Sequence, residues 1–242
     1  MNREYWDRQA GHWDDEIFDS LREDVRGVIR RALRAAAARH RTVLDFGCGV
    51  GGYLRFLSHT FESVHAIDWS PRCVERAQER TRRLPNVAVE RNTPRALARL
   101  ERGFGCVVAA NVVIHPDGRV RRPLWNAIRR VVKRGGNGVF VVPALESAMH
   151  CELVRRQTAP RRGSAYDFHP GTRAATTGIV SIDGVPTKHY AADELRAVLA
   201  AAGFRVLRLS RVRYRWSTEA LTPPRRLRAR LPWDWLAEAR AV

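Results

Sequence analysis

The sequence predicts an α/β fold, a doubly wound and mostly parallel sheet with helices on both faces and an insertion after the fifth strand. Three observations predict it. Short apolar runs alternate with segments of helical periodicity up to about residue 142, as a parallel sheet wound by crossover helices requires. A glycine-dense turn, Gly47-Cys48-Gly49-Val50-Gly51-Gly52, joins the first run to the helix behind it. The second run closes on a carboxylate, Asp68.

Each element has a local reason. Ser20-Leu21-Arg22-Glu23 has capping-box spacing, and apolar residues then recur at helical intervals from Leu21 to Ala36, so one helix is expected from Ser20 to about His40. Residues 42–46 form the first strand, and a helix follows the glycine turn over 52–59. The second strand is 63–67, ending in Asp68. Ser70-Pro71 and Thr93-Pro94 are two copies of one device, a hydroxyl cap followed by proline at the first helical position. They start helices reaching about Arg83 and Arg102, with a third strand, 87–90, between them. The fourth strand, 106–110, is apolar throughout, as expected when both faces are covered. A helix from about Arg121 to Lys133 is expected to stop at Gly135-Gly136, before a fifth strand at 138–142.

The pattern then loosens. Residues 146–157 look helical, and 159–173 form a loop rich in arginine, glycine and proline. Residues 179–186 read as a hairpin turning at Asp183-Gly184. A helix over 193–201 stops at Gly203, and 204–214 alternates apolar residues with arginines as a strand with one polar side. The tail from Thr222 to Leu236 is expected to be loop and short helix. The whole of 1–242 reads as a single domain: a lead-in and helix (1–40), a ligand-binding core (41–143), a lid insertion (144–190), and a closing helix, strand and basic tail (191–242).

Composition narrows the functional classes. At 45% hydrophobic residues the chain is an ordinary globule. No apolar run approaches the ~20 residues of a membrane span, and the polar, acidic N-terminus is unlike a signal peptide, which points to the cytoplasm. Four scattered cysteines and eight histidines show no metal-ligand spacing. The net charge of +18 invites a nucleic-acid reading. However, only Lys133 and Lys188 among the 43 basic residues are lysines, a skew that matches coding bias, with most arginines on solvated helix faces.

In the glycine turn, Gly47, Gly49 and Gly51 or Gly52 let the backbone reverse and let a ligand approach it. Gly47, Gly49 and Gly52 satisfy G-x-G-x-x-G, a pattern shared by several nucleotide binders. Asp45 discriminates among them, because a carboxylate two residues before the first glycine suits a cationic ammonium. Asp68 is placed to accept two ribose hydroxyls. Arg91-Asn92-Thr93, after the third strand, puts a polar side chain where an adenine edge would lie. Asn111-Val112-Val113-Ile114-His115 follows the fourth strand.

Asp45-x-Gly47-x-Gly49-x-Gly51 with Asp68 resembles the class I S-adenosylmethionine-dependent methyltransferases, which are Rossmann-like, over about residues 40–143. Segments near Val142, Thr187 and Pro232 are similar to bacterial methyltransferase-domain proteins of no assigned substrate. The resemblance implies S-adenosylmethionine as cofactor, with its methionine end on Asp45 and the Gly47–Gly51 backbone (Gly47, Cys48, Gly49, Gly51). It implies Asp68 on the ribose, Trp69 and Asn92 beside the adenine, and Asn111 as a further contact. Family members often carry an acid near Asn92, and this chain has an amide there. A nicotinamide dehydrogenase competes for the same loop. Asp45 would repel a pyrophosphate, and none of the five tyrosines has a lysine four residues on.

Methyl transfer needs the acceptor held in line, water excluded and sometimes a proton removed. His115 and His189 are the candidate bases, with helix capping and hairpin packing as their structural alternatives; His150 and His169 rank lower. Candidate substrate and lid residues are Tyr5, Trp6 and Trp13 in the lead-in and Glu146, Lys188 and Tyr190 in the insertion. The amino-methylation motif Asn/Asp-Pro-Pro-aromatic is missing after the fourth strand, and so is a Pro-Cys pair. The favoured partner is therefore a small-molecule acceptor, methylated on oxygen or nitrogen to give S-adenosylhomocysteine. Two alternatives stand beside it. One is an RNA-directed enzyme using the nine arginines between Arg205 and Arg230. The other is a non-catalytic protein that only binds the cofactor.

Overall fold

The computed structural model describes residues 2–13, 17–158, 172–182 and 184–242, with the backbone alone at 172 and 173. Asp14, Asp15, His169, most of the 159–173 loop and the Asp183 turn position lie outside the described residues. Helices α1 (Arg3–Gln9), α2 (Ser20–Glu23) and α3 (Val28–Ala37) lead into β1 (Thr42–Phe46). Then come α4 (Leu54–Ser58), β2 (Ser63–Asp68), α5 (Pro71–Thr81), β3 (Val87–Arg91), α6 (Pro94–Arg99) and β4 (Phe104–Ala110). The chain continues through α7 (Gly118–Val131), β5 (Val132–Pro143), α8 (Leu145–Thr158) and α9 (Thr172–Thr177). The hairpin β6 (Ile179–Ile182) and β7 (Val185–Lys188), α10 (Ala192–Ala201), β8 (Phe204–Arg213) and β9 (Trp233–Ala241) complete it.

The main sheet has the order β3-β2-β1-β4-β5-β9-β8. β1 to β5 pair in parallel, and β9 enters antiparallel between β5 and β8. Both faces are buried. One face packs Phe46, Trp125, Phe140 and Phe204 with α7 and α10. The other packs Val43, Val108 and Leu236 with Ile29, Leu33, Leu54 and Leu57. Among the described residues, no helix is long and apolar enough to cross a membrane.

The two hydroxyl–proline devices work as expected. Ser70 Oγ accepts the Cys73 N–H at 3.1 Å, and Thr93 Oγ1 accepts that of Ala96 at 3.1 Å. Three expectations are corrected. The single helix from Ser20 is two helices, because Asp24 turns its carboxylate on the Ile29 N–H (2.8 Å) and Gly27 takes φ +62°. Asp24 thereby caps a second start. Gly135-Gly136 do not stop α7; they lie inside β5, where the register against β4 shifts between Phe104 and Cys106. The expected loop and short helix at the end of the tail is β9. Trp233, Trp235, Ala237, Ala239 and Ala241 all enter one core face at period two, and that burial overrides the helix propensity of Leu, Ala, Glu and Arg.

Candidate active site

The ends of β1, β2, β3 and β4 open into one cavity of about 210 Å³. Its floor begins with the glycine turn. Gly47 has φ +78°, and a Cβ there would lie 2.6 Å from Val112; at Gly49, φ +54°, a Cβ would meet the Trp13 ring. Side chains are therefore excluded by both backbone conformation and space. The turn is bound to β2: the Gly47 and Cys48 N–H groups donate to Ile67 O (2.7 and 3.0 Å), and the Gly49 N–H donates to Asp68 Oδ2 (2.9 Å).

Three carboxylates line this cavity, Asp19, Asp45 and Asp68, and the last two are buried. Asp45 is 3% exposed, and its Oδ2 has no hydrogen-bond partner. Burial first, and then the neighbouring Asp68 charge, push the Asp45 carboxyl up to about 8. Asp68 accepts the Ser70 N–H on Oδ1 (2.9 Å) as well as that of Gly49. Burial lifts it to about 6 despite these bonds. Two buried acids side by side need a cation or a proton. A ligand with an ammonium and a sulfonium fits that need, and its hydroxyls fit the lone pairs left on Asp68.

The other expected contacts are distributed around this pair. Cys48, Trp69, Asn92 and Asn111 line the cavity, while Gly51 (φ +87°) shapes the turn from behind, against Leu54 and Ala77. The Cys48 thiol is pushed far up by burial, so it is a wall and not a nucleophile. Asn111 has φ +56° and a buried Oδ1 without a partner.

The N-terminal segment closes the cavity. Trp6, Trp13, Ile17 and Phe18 line it, with Trp6 and Trp13 at 5.8 Å between ring centroids. Tyr5 is one layer out, edge-on to Trp6. Asp7 accepts from Ser70 Oγ at 2.5 Å, and Arg76 donates to Ala10 O, fastening this segment to α5.

His115 lines the cavity, but its Nδ1 accepts the Asp117 N–H at 3.0 Å. The neutral ring therefore carries its proton on Nε2, which makes it a hydrogen-bond donor there. Burial holds its pKa below the usual histidine range.

The insertion residues lie elsewhere. None of Glu146, Lys188, His189 and Tyr190 lines the cavity. Glu146 accepts from the Ala192 N–H (2.9 Å) and Trp235 Nε1 (3.0 Å). Lys188 Nζ donates to Thr177 O (2.7 Å) and pairs with Glu194 (2.6 Å). His189, driven down to about 4 by burial, holds Thr187 O at 3.1 Å from Nδ1. Tyr190 OH donates to Val113 O at 2.6 Å, and the Lys188 N–H donates to Ile114 O at 2.8 Å. Lys188 and Tyr190 thus anchor the loop after β4, Glu146 holds the start of α10 and Trp235 of β9, and His189 bonds back to its own hairpin.

Sequence reasoning missed several walls. Phe18, Ser20 and Tyr53 line the cavity, and Ser20 Oγ and Tyr53 OH bond each other at 2.7 Å. Tyr53 was legible in principle, because the first residue beyond a glycine turn must sit over the strand ends.

Residues 43–136 match the methyltransferase-domain family. No curated protein matches the chain. The chain shares its fold with solved structures at 15–19% identity. One is Burkholderia thailandensis 1,6-didemethyltoxoflavin-N1-methyltransferase with 1,6-didemethyltoxoflavin and S-adenosylhomocysteine bound (15% identity, TM-score 0.62, 99% of this chain and 87% of that one). Another is a chain in the complex of the Haloferax volcanii Trm112 methyltransferase activator with a methyltransferase (19%, 0.61, 98% and 97%). A third is a SAM-dependent methyltransferase from Aquifex aeolicus (18%, 0.60, 98% and 98%). The methyltransferase-domain match spans residues 43–136, and the solved structures that share the fold include S-adenosylmethionine-dependent methyltransferases.

Proposed function

We propose that the protein transfers a methyl group from S-adenosylmethionine to an oxygen or nitrogen of a small-molecule acceptor, in the cytoplasm. The observation that carries this reading is the partly open cavity with the unpartnered Oδ2 of Asp45 at its floor. Asp45 and the backbone of the glycine turn hold the methionine end, Asp68 accepts the ribose hydroxyls, and Trp69 and Asn92 flank the adenine. The cofactor supplies an already activated methyl on a sulfonium, so the protein has to position and desolvate more than it has to react.

Trp6, Trp13, Ile17 and Phe18 roof the site and exclude water; the lid role expected of residues 144–190 passes to them. His115 donates from Nε2 to an acceptor atom and does not serve as the base. The small-molecule reading is supported by the aromatic side chains over the cavity and by the bound 1,6-didemethyltoxoflavin in the Burkholderia structure. Four free, buried cysteines support the location.

The RNA-directed alternative rests on the basic C-terminal face. There Arg211 lies 4.5 Å from the Trp233 ring centroid and 5.6 Å from that of Trp235, and Arg230 lies 4.9 Å from Trp233. These arginines already cover the aromatic faces on which bases would stack, which ranks this reading second.

Calorimetry with S-adenosylhomocysteine tests the cofactor assignment. Wild type should bind it, and Asp68→Ala should bind at least about tenfold more weakly, the cost of hydrogen bonds to a charged group. Unchanged affinity in Asp68→Ala would overturn the assignment. Tight, salt-dependent RNA binding would reverse the order of the two acceptor readings.

A further inference from the structure

The fold holds the Phe18 ring in place without burying it. That ring stands edge-on to Tyr214, with centroids 4.6 Å apart and planes at 82°. Tyr214 is fixed in turn. Its N–H donates to Pro232 O at 2.9 Å, and its hydroxyl donates to Asp234 Oδ2 at 2.9 Å. Tyr214 is buried, whereas Phe18 is 39% exposed and lines the cavity. Whichever of the two rings presents its edge, at least one face of Phe18 is left free of Tyr214. An apolar ring held still and half in water is unfavourable until something covers it.

The strand order tells which side of the cavity this is. Asp68 and Asn92 follow β2 and β3 on one side of β1. Tyr214 follows β8 and Asp234 lies at the start of β9, on the other side of β1 and beyond β4 and β5. Phe18, packed on Tyr214, thus stands away from the ribose and adenine contacts. His115 from the loop after β4 and Val120 and Leu124 from α7 also line the cavity, and Val120 is as exposed as Phe18. With the adenosine on the β2–β3 side, this is the side left for the methyl acceptor.

Charge narrows the acceptor further. Among the described residues, the lining side chains that carry a full charge are the acids Asp19, Asp45 and Asp68. Asp19 is next to Phe18 in the chain. Its Oδ1 caps α2, accepting the Leu21 and Arg22 N–H groups at 2.9 and 3.1 Å. A Cβ on Gly52 would lie 3.2 Å from its Oδ2, so this carboxylate is fixed beside the glycine turn. S-adenosylmethionine brings an ammonium and a sulfonium against one carboxylate of its own, which leaves three aspartates in excess of its net charge. A negatively charged acceptor would be repelled, and strongly so in a partly desolvated cavity.

We propose that the methyl acceptor is a planar aromatic molecule without negative charge, stacked on Phe18 on the side of the cavity lined by Val120 and Leu124. This rests on the cofactor assignment above, which sets the acceptor's side, and names the acceptor's class.

Three probes of one shape test it on protein saturated with S-adenosylhomocysteine: 2-naphthol, its anionic counterpart 2-naphthoate, and the non-planar decahydro-2-naphthol. Equilibrium dialysis gives the three affinities. Wild type should bind 2-naphthol with a Kd near or below about 1 mM, as a fragment of that size allows, and each of the other two at least about fivefold more weakly. Phe18→Ala should lose about tenfold on 2-naphthol, the worth of an aromatic pair with its buried area, while S-adenosylhomocysteine weakens by less than about threefold, below a 1 kcal/mol effect. Phe18→Trp should restore 2-naphthol. Asp19→Asn keeps the helix cap, because Asn caps as well as Asp, and should narrow the gap between 2-naphthol and 2-naphthoate at least about threefold. The inference is overturned by 2-naphthoate or decahydro-2-naphthol binding as tightly as 2-naphthol, or by no binding of 2-naphthol at all. It is equally overturned by an unchanged 2-naphthol affinity in Phe18→Ala or an unchanged gap in Asp19→Asn. Failure of wild type to bind S-adenosylhomocysteine would instead overturn the cofactor assignment, and this inference with it.

Discussion

The two sides of β1 are built by different rules. On the β2–β3 side, the cavity wall comes from short-range motifs: a glycine turn, and a carboxylate at the end of the next strand that accepts the turn's own Gly49 N–H at 2.9 Å. On the β4–β9 side, the wall comes from residues far apart in the chain. Ser20 meets Tyr53, and Tyr214 meets both Phe18 and Asp234. A cofactor that never changes permits a fixed local motif. An acceptor that differs from enzyme to enzyme is met by whatever tertiary pairs the closing strands bring together.

That contrast can be broken most strongly at Asp45. Replacing it by Asn removes the buried carboxylate proposed to face the cofactor's ammonium, and S-adenosylhomocysteine affinity should fall by at least about a hundredfold, since unpairing a buried charge costs several kcal/mol. The same variant should be more stable without ligand. An unfolded Asp ionises near 3.8, whereas folded Asp45 ionises at about 8. Between those values the folded protein holds the extra proton, so the stability this group contributes is present at low pH and is lost as pH rises through about 8. At pH 8 Asp45→Asn should therefore melt higher than wild type, by about 5 °C for a gain of a couple of kcal/mol. Weakened binding together with a lower melting point would mean that Asp45 is a structural residue.

Trp13→Ala comes next. The ring packs on Gly49 and roofs the glycine turn, so its loss should weaken S-adenosylhomocysteine by about tenfold, the worth of one large buried side chain. Calorimetry reads this directly, and tighter binding would show that Trp13 occupies the ligand's own space. The smallest effect on the ligand is expected in the insertion. Lys188→Met breaks the bonds to Thr177 and Glu194 and should cost about 1–3 kcal/mol of stability in denaturant unfolding, while S-adenosylhomocysteine affinity stays within about twofold, below a 1 kcal/mol effect. A large loss of affinity would bring residues 144–190 back to the site.

What could be read in the sequence follows the same division. The Ser70-Pro71 and Thr93-Pro94 starts, the glycine turn and Asp68 were legible because each meets a local need of the backbone or of a ligand. Asp24 and Gly27 were equally local signals, a cap and a left-handed residue, but they were hidden by an apolar period that runs on from Leu21 to Ala36. β9 was not legible, because Leu236, Ala237, Glu238 and Arg240 are helix formers and only the slot between β5 and β8 makes them a strand. The insertion's Glu146, Lys188, His189 and Tyr190 looked like active-site chemistry. In three dimensions, they bond backbone groups of the loop after β4, of the start of α10 and of the insertion itself. Tyr214 and Asp234, twenty residues apart, come together only through strand register.

The central claim is that the site is an acidic cradle for a cationic cofactor, and proton linkage tests it most directly. S-adenosylhomocysteine is titrated into the protein at pH 7 in phosphate and in Tris buffer, whose ionisation heats differ. Free Asp45 is mostly protonated at that pH and ionised against the ligand's ammonium, so binding should release about one proton and the observed heats should differ between buffers. Asp45→Asn should abolish the residual buffer dependence along with most of the affinity. Tight binding to wild type with identical heats in both buffers would contradict the account.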